Sequence, residues 1–121
     1  TKPADAVVDS GTEISYPKLT KDLHHEVELV IAIGKSGENI PKEKAREHIF
    51  GYAVGIDLTR RDLQNIAKEK GRPWDSGKAF DQSAPCAAIT PISDITDIEQ
   101  ESISLSVNGE ILQSGTISDL I

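Results

Sequence analysis

The chain has 121 residues, a formal charge of −7, 37% hydrophobic and 27% charged residues, which describes one globular domain or part of one, with enough apolar material for a core. No apolar run approaches bilayer-spanning length, so a membrane role drops out, and the acidic balance argues against a nucleic-acid surface, which needs clustered Lys and Arg. The single cysteine, Cys86, excludes an internal disulfide framework and points to a reducing, cytoplasmic setting, or a mitochondrial one in a eukaryote. Set among Ala84, Pro85, Ala87 and Ala88, it reads as a small buried hydrophobe rather than a nucleophile.

Ala6 to Val8 is a short strand candidate which, with the turn-like Asp9-Ser10-Gly11 and an extended segment near Ile14 and Tyr16, predicts a hairpin. After a polar connection, Leu23 to Gly34 alternates: Leu23, Val27, Leu29, Ile31 and Ile33 share one face, and His24, Glu26 and Glu28 the other. Two carboxylates side by side on an apolar strand repel each other and lose hydration unless a cation sits between them, and a divalent metal is the simplest such cation. For an isolated Glu-x-Glu the competing reading is a merely wet face.

Gly34 to Asn39 reads as a loop, and Pro41 to Ile49, with Ala45 and Ile49 four apart, as a short surface helix. From Phe50 to Thr59 the period returns to two, with Ala53, Gly55, Asp57 and Thr59 on one face. Small residues around one carboxylate make room for a ligand and supply an anion to it; alternatively, Asp57 caps the next helix. That helix, Arg60 to Lys70, has Leu63, Ile66 and Ala67 as its inner stripe and Gly71 as its stop. Arg72 to Asp81 reads as an irregular connection with Trp74 as a packing anchor, Ala84 to Ile92 as an edge strand or extended segment, and Ser93 to Glu101 as an acidic surface loop. Ser102 to Gln113 is a hairpin about Asn108-Gly109. Thr116, with Asp119 three residues on, starts a last helix whose apolar face Leu120 and Ile121 begin. The chain opens at Thr1-Lys2-Pro3 with no methionine and closes as that helix begins, so an excerpt of a longer polypeptide is expected.

His24-His25-Glu26-Val27-Glu28-Leu29, then Gly55-Ile56-Asp57-Leu58-Thr59-Arg60-Arg61-Asp62 with Gln64, then Trp74 and Gly77-Lys78-Ala79-Phe80-Asp81, then Val107-Asn108-Gly109-Glu110 with Gln113 and Gly115 together resemble the fumarylacetoacetate hydrolase family. The match is nearest to its small branch of acylpyruvate hydrolases, oxaloacetate decarboxylases and 2-hydroxyhepta-2,4-diene-1,7-dioate isomerases, and runs from Lys2-Pro3 to Ile121. The resemblance implies an α+β fold, a mixed β-roll with short peripheral helices, of which residues 1–121 would be roughly the middle half. It also implies a homodimer. Glu26, Glu28 and Asp57 would hold magnesium or manganese, a hard cation suited to carboxylate oxygens. Arg61, Gln64 and Lys78 would line the pocket, orienting the substrate carboxylate and stabilising the oxyanion or enolate.

The activity so implied is metal-dependent cleavage of the carbon–carbon bond of acylpyruvates such as fumarylpyruvate through a metal-chelated enolate, with oxaloacetate decarboxylation or diene-dioate isomerisation on the same site as the alternative. The family's water-activating His-Glu pair and its Thr-Gly-Thr-Pro segment have no counterpart in these residues, and His24 and His25 read as buried structural groups instead. Were the 121 residues the whole molecule, the expectation is an inactive metal-binding or structural fragment, in which replacing Glu26 or Glu28 by Gln leaves stability intact or improved.

Overall fold

The computed structural model describes residues 1–120; the Ile121 expected on the last helix lies outside the described residues. A 3₁₀ turn at Ala4–Ala6 leads into β1 (Val7–Asp9). The two long alternating runs become β2 (Leu23–Ile33) and β3 (Ile49–Arg60). They are followed by α1 (Arg61–Glu69), α2 (Asp75–Lys78), β4 (Ala84–Cys86), β5 (Thr90–Pro91), β6 (Ser102–Val107) and β7 (Glu110–Thr116). One sheet has the order β1-β4-β3-β2 with β5 also on β3, and β6 and β7 form a separate pair. β1 and β4 are parallel, whereas β4 and β5 run antiparallel to β3, so the sheet is mixed and the fold α+β.

By contacts the chain divides into two units, one of Thr1–Glu28 with Gly55–Ala87, the other of Leu29–Val54 with the chain from Ala88 onward. In the first, the expected hairpin between Ala6 and Tyr16 does not form. Asp9-Ser10-Gly11 does turn, with Gly11 at φ +89°, but the Ser10 N–H donates to the Cys86 carbonyl and β1 pairs with β4. No strand follows before Leu23. The segment read as an edge strand is therefore interior, since β4 lies between β1 and β3; Pro85 is tolerated there because β4 is only three residues long.

α1 starts without a side-chain cap on Arg60. Its first turn is held instead by Asp62, whose carboxylate accepts from the Thr20 hydroxyl and from the backbone N–H groups of Lys21 and Leu63, while the Arg61 N–H donates to the Asp22 carbonyl. These bonds hold the Asp62 carboxyl below its ordinary range, and its charge suits the helix N-terminus. The inner stripe is only partly covered: Ala67 is buried, Ile66 is not. Where an irregular connection was expected, one helical turn, α2, forms. Trp74 is 49% exposed at its start, so it is not the anchor. Gly77 is, because a Cβ there would lie 3.1 Å from the Gln64 backbone nitrogen, and only glycine lets α2 approach α1 so closely.

In the second unit the charged run after Pro41 makes a 3₁₀ helix, Lys42–His48, rather than an α-helix, with no buried residue; so short a segment gains little packing to offset helix nucleation. Ile31 and Ile33, on the apolar face of the alternation, are exposed, Ile33 to 70%, and with Ile40, Ala45 and Ile49 line an open groove. The Asn108-Gly109 turn forms as read, with both residues at positive φ, as a tight two-residue hairpin requires. Thr116 and Asp119 make the expected capping box, over a 3₁₀ turn at Ile117–Asp119.

Replacing Gly77 by Val should lower stability by about 1–3 kcal/mol, because the added carbons meet Gln64 backbone rather than a yielding side-chain tip; urea denaturation of the two proteins measures it.

Candidate metal centre

Every residue of the candidate site belongs to the first unit. Alternation along β2 puts Glu26 and Glu28 on one face, and the small-residue face of β3 brings Asp57 to them, so that one oxygen from each of the three lies within 4.8 Å of the others. Thr59, fully buried, donates from its hydroxyl toward the Asp57 side chain and main-chain carbonyl. Asp57 makes no cap to α1, which settles the choice between its two sequence readings in favour of a carboxylate facing the site.

Three cations surround the cluster. Lys78, at the end of α2, donates to Glu26 Oε2 and Asp57 Oδ2, each at 2.7 Å, with its side chain only 13% exposed. Arg61, in the first turn of α1, pairs with Glu26 Oε1 and donates to Gln64 Oε1 at 2.5 Å, the three-residue spacing placing Arg61 and Gln64 on one face. Lys2 pairs with Asp57 Oδ1 at 2.8 Å and also donates to the main-chain carbonyls of Leu58 and Lys78. Sequence reasoning missed Lys2, counting it with Pro3 only as the start of a resemblance. No periodicity signals a lysine whose partners lie 55 and more residues away.

The charges sort accordingly. Burial pushes the Asp57 and Glu26 carboxyls up, but hydrogen bonds from Lys2 and Lys78 to Asp57, and from Lys78 and Arg61 to Glu26, outweigh it and hold both below their ordinary range. For Lys78, burial favours the neutral amine, yet the bonds to Asp57 and Glu26 prevail and raise it. Lys2 goes the other way, because burial exceeds the pull of Asp57. Glu28 is raised by partial desolvation and by the charge of Asp57. It has no ion pair or side-chain hydrogen bond among the described residues.

His24 corrects its sequence reading: it is exposed rather than buried, with Nε2 3.0 Å from Asp22 Oδ1 and Nδ1 accepting from Arg61 at 3.4 Å. His25 is half-buried and outside the cluster. Cys86 is half-buried in β4 and its thiol contacts the Ala87 carbonyl, as befits a packing residue.

The donor set fits a divalent cation. Three hard carboxylate oxygens converge, and Glu28, which has no ion pair among the described residues, is raised by burial and by the charge of Asp57 against the weaker pull of Lys78, a balance that a cation at that point would reverse.

A mixed sheet presenting this cluster, with Arg61, Gln64 and Lys78 beside it, agrees with comparison to known proteins. The chain belongs to the fumarylacetoacetate hydrolase family, whose description "Fumarylacetoacetate (FAA) hydrolase C-terminal" matches residues 1–121. It is 46% identical over 121 residues to fumarylpyruvate hydrolase of Ralstonia sp, covering 100% of this chain and 62% of that protein. It is 41% identical over 120 residues to the mitochondrial oxaloacetate tautomerase FAHD1 of Mus musculus, covering 99% of this chain and 54% of that protein. Among solved structures, fumarylpyruvate hydrolase from Pseudomonas aeruginosa in complex with Mn2+ and pyruvate superposes with a TM-score of 0.95 at 52% identity, covering 98% of this chain and 53% of that one. The chain thus spans little more than half the length of these relatives.

The two glutamates should respond oppositely to neutralisation in metal-free protein. Glu28 has a raised carboxyl, so its ionised form costs stability once pH exceeds its unfolded value; Glu28→Gln should melt higher than wild type at pH 7, the gain vanishing below about pH 4. Glu26 has a depressed carboxyl, which contributes stability at neutral pH that is lost on acidification. Glu26→Gln should therefore melt lower at pH 7, and the difference should begin to close only as the pH falls below the ordinary glutamate value, about 4, toward the depressed one. Thermal melts in chelator from about pH 2 to 8 read both.

Proposed function

We propose that this chain carries the metal and substrate groups of a divalent-metal-dependent hydrolase that cleaves the carbon–carbon bond of acylpyruvates, 2,4-diketo acids such as fumarylpyruvate. Mg2+ or Mn2+ would be held by Glu26, Glu28 and Asp57. The observation that carries this reading is the convergence of those carboxylates on one point, with Lys78 against two of them. The identity to fumarylpyruvate hydrolase, and the Mn2+ and pyruvate in the Pseudomonas aeruginosa structure, support it.

When bound, the cation supplies Lewis-acid polarisation of the 2-keto acid. The chain's own groups do the rest. Lys78, kept protonated by Asp57 and Glu26, offers an ammonium to the negative oxygen that develops as the carbon–carbon bond breaks. Arg61 supplies a planar donor fork suited to a substrate carboxylate. Gln64, its oxygen already engaged by Arg61, retains amide N–H donors for a substrate oxygen. In this reading Lys78, Arg61 and Gln64 are the catalytic residues.

The oxaloacetate tautomerase relative favours a second reading, in which the same groups act on oxaloacetate, by decarboxylation or keto–enol exchange, or on 2-hydroxyhepta-2,4-diene-1,7-dioate by isomerisation. All three chemistries stabilise an enolate next to a 2-keto acid. The partner is thus a small-molecule keto acid, and the homodimer and the cytoplasmic setting, mitochondrial in a eukaryote, belong to the same proposal.

Calorimetric titration of the intact protein with Mn2+ and Mg2+ should show binding that Asp57→Asn weakens by about 10- to 100-fold, and fumarylpyruvate cleavage should fall with it. Equal metal affinity in the two proteins sinks the site assignment, while turnover of oxaloacetate without cleavage of fumarylpyruvate selects the second reading.

A further inference from the structure

An ammonium has three N–H donors and no more. Those of Lys2 have three acceptors at hand: Asp57 Oδ1 at 2.8 Å, the Leu58 carbonyl at 2.8 Å and the Lys78 carbonyl. Its side chain is 13% exposed, and its nitrogen lies 5.2 Å from the centre of the Phe80 ring. Nothing is left on this nitrogen with which to donate to a substrate.

What it does reach is both sides of the site. Through Asp57 Oδ1 it holds one carboxylate of the cluster, leaving Oδ2 to Lys78. Through the Lys78 carbonyl it holds the end of α2, the turn from which the Lys78 side chain runs back to Glu26 and Asp57. The fully buried Ser83 supports the same place, its hydroxyl donating to the Lys78 carbonyl at 3.2 Å and its own carbonyl accepting from the Leu58 N–H at 3.0 Å. The Asp57 carboxylate and the Lys78 main chain therefore share one point of attachment, the Lys2 nitrogen.

We infer that Lys2 is a positioning residue: it sets the Asp57 carboxylate and α2 at a fixed separation, so that Lys78 meets the reacting oxygens, and it touches no substrate itself. This rests on the proposed function for its kinetic consequence, though not for its structural one. Losing the clasp displaces groups rather than removing them, and a displacement on the order of 1 Å costs roughly 100-fold in rate.

Lys2→Met keeps the stem and deletes the donors. The intact variant should lose about 10- to 100-fold in kcat on fumarylpyruvate with KM within about threefold of wild type. In a Lys78→Met background the same change should cost clearly less in kcat than it does in wild type, because part of what Lys2 does is exerted through Lys78. Lys2→Arg keeps the charge, but its flat fork cannot converge three donors on these acceptors, so it too should lose kcat; full activity in Lys2→Arg would make charge alone sufficient and overturn the inference. The crystal structure of either variant should show the Asp57 carboxylate or the end of α2 moved. Folded variants with Asp57 and Lys78 unmoved, or multiplicative losses in the double variant, would overturn it, as would failure of both variants to fold, which makes Lys2 a stability residue. A wild type that cleaves no fumarylpyruvate defeats the functional reading alone, since the displacement is still read from the variant crystals.

Discussion

The ammonium of Lys78, held between Glu26 and Asp57, is the interaction on which the rest of the site depends. Two strands bring three carboxylates together, and like charges so close, partly out of water, would raise one another's pKa values and resist folding. Lys78, Arg61 and Lys2 offset two of the three. Glu28 makes no ion pair among the described residues, and burial with the charge of Asp57 raises its carboxyl against the weaker pull of Lys78. A site built this way folds around its own cations and still keeps one anionic charge to offer another.

The cations have to be delivered from elsewhere in the chain, and the packing of the first unit does this with small residues and main-chain bonds rather than bulk. α1 is set against the start of β2 by Asp62, Thr20 and the Arg61 N–H, which presents Arg61 and Gln64. α2 lies on α1 because Gly77 has no Cβ. Buried Thr59 and Ser83, the fully buried side chains of greatest volume, are small and polar, each bonded to main chain that carries a site residue. Two buried hydroxyls here, beside Ala6, Ala67 and Phe80 in the same unit, give up hydrophobic stabilisation and gain directionality, because each buried donor must be satisfied in one geometry.

Local patterns were legible where the physics is local. The period-two runs became β2 and β3 almost to the residue, Asn108-Gly109 became its turn, and Thr116 found Asp119, because dihedral preference and short-range hydrogen bonds decide these. The expected hairpin near the start failed because strand pairing is a contest: the main chain around Cys86 offered β1 and Ser10 a partner that no local signal announces. For the same reason Pro85 marked an edge and ended inside a sheet. Ile31 and Ile33 show the limit of alternation, which assigns a face but not what covers it.

Of the candidate site, alternation in the sequence put Glu26 and Glu28 on one face of a strand and Asp57 on the small-residue face of another, and left open whether Asp57 turns to them or caps the next helix. The motif order also singled out Arg61, Gln64 and Lys78, without saying what each would touch. That Asp57 faces the cluster instead of capping α1, that His24 is exposed, and that Lys2 joins the site emerge from packing alone. Those outcomes turn on contacts between residues tens of positions apart, whose closure no local periodicity encodes and whose energy exists only once the strands and helices have packed.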